Sequence, residues 1–160
     1  ESVFRPSQED VEIQYVLTGS APTSPDCMHV LAADYIIPDA TERSMDIDVD
    51  KMVRHVRGER PGPTDLFMQV HSHPNSGVAE PSEQDLATWE SIGATVSAHF
   101  PGATILFGIH GVGVQAPGFV ERTRPEKISP NTISWQSNTR EHSLGLFSAS
   151  ATPYEVSYAD

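Results

Sequence analysis

The stretch LFMQVHSHP, residues 66–74, changes character half-way along. Its first five residues are a nearly continuous apolar run, the pattern of a short strand buried on both faces at the centre of a sheet. Its last four are mostly polar and place His71 and His73 two positions apart. In extended backbone, residues i and i+2 project from one face, so two imidazoles leaving a strand this way can reach one point. Pro74 then fixes φ and turns the chain away. A histidine-rich polar loop and a metal site have the same composition here, and the flanking sequence has to separate them.

On the C-terminal side, the loop NSGVAEP (75–81) leads to SEQD (82–85). SEQD reads as a capping box, with Ser82 as N-cap and Asp85 in place of the usual Glu or Gln at N3. A helix over about 83–99 follows, with Leu86, Trp89, Ile92 and Val96 on one stripe, and FPG (100–102) ends it. Asp85, in the first turn, is therefore one short loop away from both histidines. Imidazole and carboxylate are good zinc ligands. Two histidines and an aspartate leave a fourth tetrahedral position for water, which is what separates a catalytic zinc from a structural one.

On the N-terminal side, EIQYVLTG (12–19) reads as a strand ending at glycine, and HVLAADYIIP (29–38) as a second strand stopped by Pro38. In DIDVDKMVRHVRG (46–58), Val49, Met52, Val53 and Val56 form one helical stripe, with Asp46 or Asp48 to cap it and Gly58 to end it. TILFGI (104–109) is another buried strand, and GFVERTR (118–124) a possible further one. Residues 125–160 are polar and aperiodic, and read as a C-terminal extension that wraps the core or carries a partner surface. The order strand, strand, helix, strand, helix, strand predicts a mixed α/β domain. At 160 residues the whole chain, 1–160, is expected to form one such domain.

The bulk numbers exclude some functions. A net charge of −12 argues against nucleic-acid phosphate as the main ligand and suits a partner with a basic face. No apolar run approaches the roughly 20 residues of a membrane helix, and the first ten residues lack the basic and apolar regions of a signal peptide. Cys27 is the only cysteine, which excludes an internal disulfide framework and points to a reducing, cytoplasmic setting. Cys27 itself is expected to be a small, partly buried apolar residue. His29, His55 and His99 are expected to be ordinary side chains on a strand, a helix and a helix end. His110 and His142 are expected in or near loops. Trp89 is expected in the core, while Trp135 has no clear assignment.

The pattern H-x-H-P followed by S-x-x-D, spelled by His71, His73, Pro74, Ser82 and Asp85, resembles the signature of the JAMM (MPN+) zinc metalloprotease family. That family carries a glutamate on an earlier strand in the pattern E-x-x-G-x-x-x-G. EIQYVLTG fits with Glu12 in the glutamate's place and Gly19 at the end, and departs from it at Tyr15, where the family has a small residue. Glu1, Glu9 and Glu42 also precede the histidines, but Glu42 lies in a loop and the other two lack a following apolar strand. The resemblance spans about residues 9–124. It implies an MPN/JAB (cytidine deaminase-like) fold, a single mixed sheet flanked by helices.

It also implies one catalytic Zn2+ held by His71, His73 and Asp85, with Glu12 as general base and Ser82 as a hydrogen-bond donor to the oxyanion. The substrate class it implies is an amide, often the isopeptide after the C-terminus of ubiquitin or a ubiquitin-like modifier, as in deubiquitinases. Three other functions fit the same residues. One is a non-catalytic MPN-type scaffold that keeps zinc for stability. Another is a RadC-like protein, a group with an H-x-H-P…P-S-x-x-D stretch, where Pro81 directly before Ser82 agrees. The last is a peptidase of small peptides or cell-wall fragments.

Overall fold

The computed structural model describes residues 12–20, 29–37, 48–59, 64–114, 123–137 and 139–156. Glu1, Glu9, Cys27 and Glu42 lie outside these residues, as do 118–122 of the possible strand at 118–124; Thr123 and Arg124 are not in a strand. The elements are β1 (Gln14–Ser20), β2 (His29–Ile37), α1 (Val49–Glu59), β3 (Leu66–Pro74), α2 (Glu83–His99), β4 (Thr104–Val112), β5 (Glu126–Ser129), β6 (Thr132–Ser137) and β7 (Arg140–Ser148). The seven strands make one sheet in the order β2-β1-β3-β4-β7-β6-β5. Only β3 and β4 run parallel, joined through α2, and every other neighbouring pair is antiparallel. Mixed α/β architecture is what the order of elements predicted.

β3 sits between β1 and β4, and its first seven residues are all buried, as an apolar run with a partner on each edge should be. It does not stop at Val70. Its parallel register with β4 runs from Leu66↔Thr104 to Pro74↔Val112, so both histidines lie inside the strand rather than just beyond it. Pro74, which cannot donate to a ladder, is its last residue. β4 is longer than expected for the same reason, and takes His110 into the sheet.

Both helices pack on one face of the sheet. Met52, Val53 and Val56 of α1 and Trp89, Ile92 and Val96 of α2 share a core with Val16, Phe67, Phe107, Ile109 and Phe147. Trp89 stacks on Phe107 with ring centroids 5.0 Å apart. Leu86 departs from the expected stripe: it is 42 % exposed, one turn before the helix reaches the core. The opposite face buries Ile13, Tyr15, Leu66, Met68, Val70, Leu106 and Val112. Asp48 caps α1, its carboxylate accepting from the Lys51 amide at 2.8 Å.

The segment expected to be an extension supplies three strands of the same sheet. Ile133 and Trp135 alternate with Ser134 and Gln136, and Leu144 and Leu146 with Ser143 and Gly145, so the period of two is present. Histidine, serine and glycine at inward positions disguise it. Among the described residues, no helix is long and apolar enough to cross a membrane.

Candidate metal centre

The ladder between β1 and β3 pairs Gln14 with His71, and sheet alternation puts His71 and His73 on the helix-bearing face with Phe67. The Nε2 atoms of the two imidazoles approach to 3.2 Å, their ring centroids 5.1 Å apart. Asp85 meets both from the first turn of α2: Oδ1 lies 2.8 Å from His71 Nε2, and Oδ2 lies 3.3 Å from His73 Nε2. The structure thus brings together three of the residues singled out from the sequence.

The capping box holds the carboxylate there. Ser82 is the N-cap, its Oγ accepting from the Asp85 amide at 3.3 Å, while the Ser82 amide donates to Asp85 Oδ2 at 2.6 Å. The Ser82 hydroxyl also donates to Oδ2, at 2.7 Å. Oδ2 is therefore occupied by α2 itself and Oδ1 is turned toward His71. The cap fixes the rotamer of Asp85 as well as starting the helix.

These donors fit a cation. Ligands held about 2.0–2.2 Å from a metal in tetrahedral geometry stand about 3.3–3.6 Å from one another. The separations of 2.8–3.3 Å need only a slight expansion, and one donor atom from each of the three residues lies within 4.8 Å of the others. Two imidazole nitrogens and a carboxylate suit zinc and other first-row divalent metals.

The charges agree with this geometry. Burial alone would raise the Asp85 carboxyl, but hydrogen bonds from His71 and His73, the His71 charge and the Ser82 hydroxyl outweigh it and hold the group well below the usual carboxylate range. Glu12 is half-buried just ahead of β1, and continuing the register places it beside His73 on the same face. Burial raises its carboxyl above the ordinary value; His71 and then His73 pull it back, and Asp85 pushes it up again. Glu12 therefore lies within electrostatic reach of all three ligand candidates, with its proton affinity moved toward neutrality.

The loop between Pro74 and Ser82 is pinned onto the sheet. Arg140, buried, donates to Asn75 Oδ1 at 3.3 Å and to the Gly113 carbonyl at 2.9 Å, and Ser143 Oγ donates to the Gly77 carbonyl at 2.9 Å. Gly111 and Gly145 make room for it. A Cβ at Gly111 would stand 2.6 Å from Ser143 Oγ and 2.9 Å from the Ser76 and Val78 carbonyls, and one at Gly145 would stand 2.6 Å from the Ala79 carbonyl. Val78 and Glu80 remain exposed on this loop, which joins His73 and Pro74 to the start of α2.

Three side chains take places the sequence reading did not foresee. His110 and His142 are inside β4 and β7 rather than in loops, and face each other on the helix-free side of the sheet with Tyr15 and Trp135. Ser72, between His71 and His73, is fully buried and accepts a hydrogen bond from the Ile13 amide at 2.9 Å. The usable signal was alternation: a hydroxyl between two same-face histidines in a central strand must point to the other side and find a partner there. His99 ends α2 as expected, and its Nε2 lies 3.6 Å from Asp50 Oδ1 of α1. His55 and His29 keep their expected helix and strand.

No family model matches the chain, and no curated protein matches it.

Proposed function

We propose that the chain is a JAMM-type (MPN+) zinc metallopeptidase of MPN/JAB fold, an isopeptidase that hydrolyses the amide after the C-terminus of ubiquitin or a ubiquitin-like modifier. The observation that carries it is the convergence of His71, His73 and Asp85 on one point beside a half-buried glutamate. His71 Nε2, His73 Nε2 and Asp85 Oδ1 would hold the ion. Zinc supplies Lewis acidity, polarising a carbonyl and making water acidic near neutral pH.

The remaining chemistry belongs to the chain. Glu12 accepts the proton of the attacking water as its oxygen bonds to the carbonyl carbon, then delivers that proton to the departing amine as the C–N bond breaks. The half-buried position of Glu12 beside His71, His73 and Asp85 suits both halves of that exchange. Ser82 serves the oxyanion by rotating its hydroxyl away from Asp85 Oδ2, which the Ser82 amide continues to hold. The exposed rim at Val78 and Glu80 meets the substrate, and the acidic chain favours modifiers with a basic face.

The test uses zinc-loaded protein with ubiquitin and ubiquitin-like proteins carrying a C-terminal amide-linked aminocoumarin. Release of the fluorophore is expected, stopped by o-phenanthroline and restored by zinc. Glu12→Gln should bind one zinc and lose about 100- to 10,000-fold in turnover. Full turnover in that variant eliminates the base. Stoichiometric zinc with binding but no cleavage of any probe would support the scaffold reading instead.

A further inference from the structure

The geometry points to Ser72 as the positioning residue for Glu12, an inference that rests on Glu12 acting as the base. Glu12 precedes the first residue of β1, where a strand end ordinarily frays. The regular ladder to β3 stops at Gln14↔His71. In the next antiparallel pair, Ile13 with Ser72, the Ser72 amide donates to the Ile13 carbonyl at 2.8 Å. The return bond from the Ile13 amide goes to the Ser72 hydroxyl at 2.9 Å, in place of a backbone carbonyl. Both polar groups of Ile13 are thus held by one residue, and that residue lies between the two histidine ligands.

Alternation makes the arrangement specific. His71 and His73 take the helix-bearing face, so the Ser72 side chain takes the other and is fully buried there. Ile13 packs on that same second face with Tyr15 and Val70, so Glu12, one residue earlier, returns to the face of the histidines. A single turn of β3 therefore presents the ligands on one side and, through the hydroxyl on the other, fastens the segment that carries the base. The effect of the Ser72 hydroxyl passes through the Glu12–Ile13 backbone.

Ser72→Ala and Ser72→Thr separate this role from general packing. In Ser72→Ala the Ile13 amide should lose its protection in hydrogen-exchange NMR, zinc content by elemental analysis should stay at one equivalent, and turnover of the aminocoumarin probe should fall about 10- to 100-fold, as for other groups that orient a reacting residue at one remove. Ser72→Thr keeps the hydroxyl and should restore both protection and turnover. In a Glu12→Gln background, Ser72→Ala should cause no further loss, because the group it positions is already disabled.

Unchanged Ile13 exchange, loss of zinc with the hydroxyl, or a full additional loss in the Glu12→Gln background would each overturn the proposal. If Ser72→Ala does not fold, Ser72→Cys, with a weaker acceptor of similar size, must show the same loss of Ile13 protection, and unchanged exchange there overturns it equally. Full activity of Glu12→Gln would instead remove the base and leave the hydrogen-exchange result standing as a purely structural clamp.

Discussion

The sheet carries two histidine pairs of nearly the same shape, one on each face. His71 and His73 have Nε2 atoms 3.2 Å apart and ring planes at 57°. His110 and His142 approach to 3.1 Å with planes at 56°. Their company differs. The first pair meets the Asp85 carboxylate and has Glu12 nearby. The second is buried beneath the Tyr15 hydroxyl, 3.2 Å from His110 Nδ1, and a Trp135 ring stacked 7° from parallel on His142. Two imidazoles in contact do not make a metal site. A cation also needs an anion to neutralise it, and among the described residues only the first pair has a carboxylate grouped with it.

The largest expected effect breaks the first pair's advantage. Asp85→Ala removes the anionic ligand and leaves two imidazoles, the very complement of the second pair. Zinc affinity, measured by competition with a chromogenic chelator, should fall by more than the ~100-fold that loss of an outer-shell partner costs. His142→Ala, in contrast, should bind one zinc as tightly as the unsubstituted chain. Zinc retained by Asp85→Ala, or lost by His142→Ala, would show that the two pairs have been assigned the wrong way round.

The difference between the faces also explains what the sequence could and could not tell. His71, His73, Ser82 and Asp85 were legible because all four are local: one strand end, one seven-residue loop and one helix start bring them together. The helix over 83–99 was readable to the residue, since its cap and its stop are both chemical signals in the chain. The second pair is 32 residues apart and is assembled by β4 pairing with β7, a contact that no local pattern encodes. The β7 strand was hidden because its buried positions hold His142, Ser143 and Gly145 where apolar residues are expected. Gly145 is there to let the Asn75–Pro81 loop lie down, and Ser143 to bind it, so the demands of the site's loop erased the strand signal. Tyr15, odd as a small-residue position, is large because its hydroxyl reaches His110.

A second, smaller effect sharpens the contrast in proton affinity. Burial first, and His142 second, pull His110 down to about 3 from an ordinary 6.5. Below 6.5 the unfolded chain takes up a proton that the folded one refuses until about 3, so stability falls as pH drops through that window. Between pH 6.5 and 5 the loss from His110 is about 2 kcal/mol. Burial and then Arg140 lower His142 as well, adding to the same slope. Urea unfolding of the metal-free protein at pH 7 and pH 5 should show this loss, and His110→Leu should lose markedly less between the two. Equal acid sensitivity in both would place the titrating groups elsewhere.

The smallest effect asks whether the two faces are independent at all. Tyr15→Phe keeps the ring that packs against the second-face core and deletes only the hydroxyl beside His110. Burial holds that phenol above its usual pKa, so it stays neutral, and removing one neutral hydrogen bond should cost about 1 kcal/mol in the urea midpoint at pH 7 with an unchanged m-value. Zinc affinity should not move. Tyr15 nonetheless lies on β1 only three residues after Glu12, and His110 is in register with Ser72, between His71 and His73. If Tyr15→Phe weakened zinc or slowed turnover in proportion to its stability cost, the second pair would be a support for the first rather than a separate cluster, and β3 would be transmitting strain between its faces. Unchanged zinc affinity alongside the stability loss would mean that the strand isolates them, each histidine pair answering only to the groups on its own side.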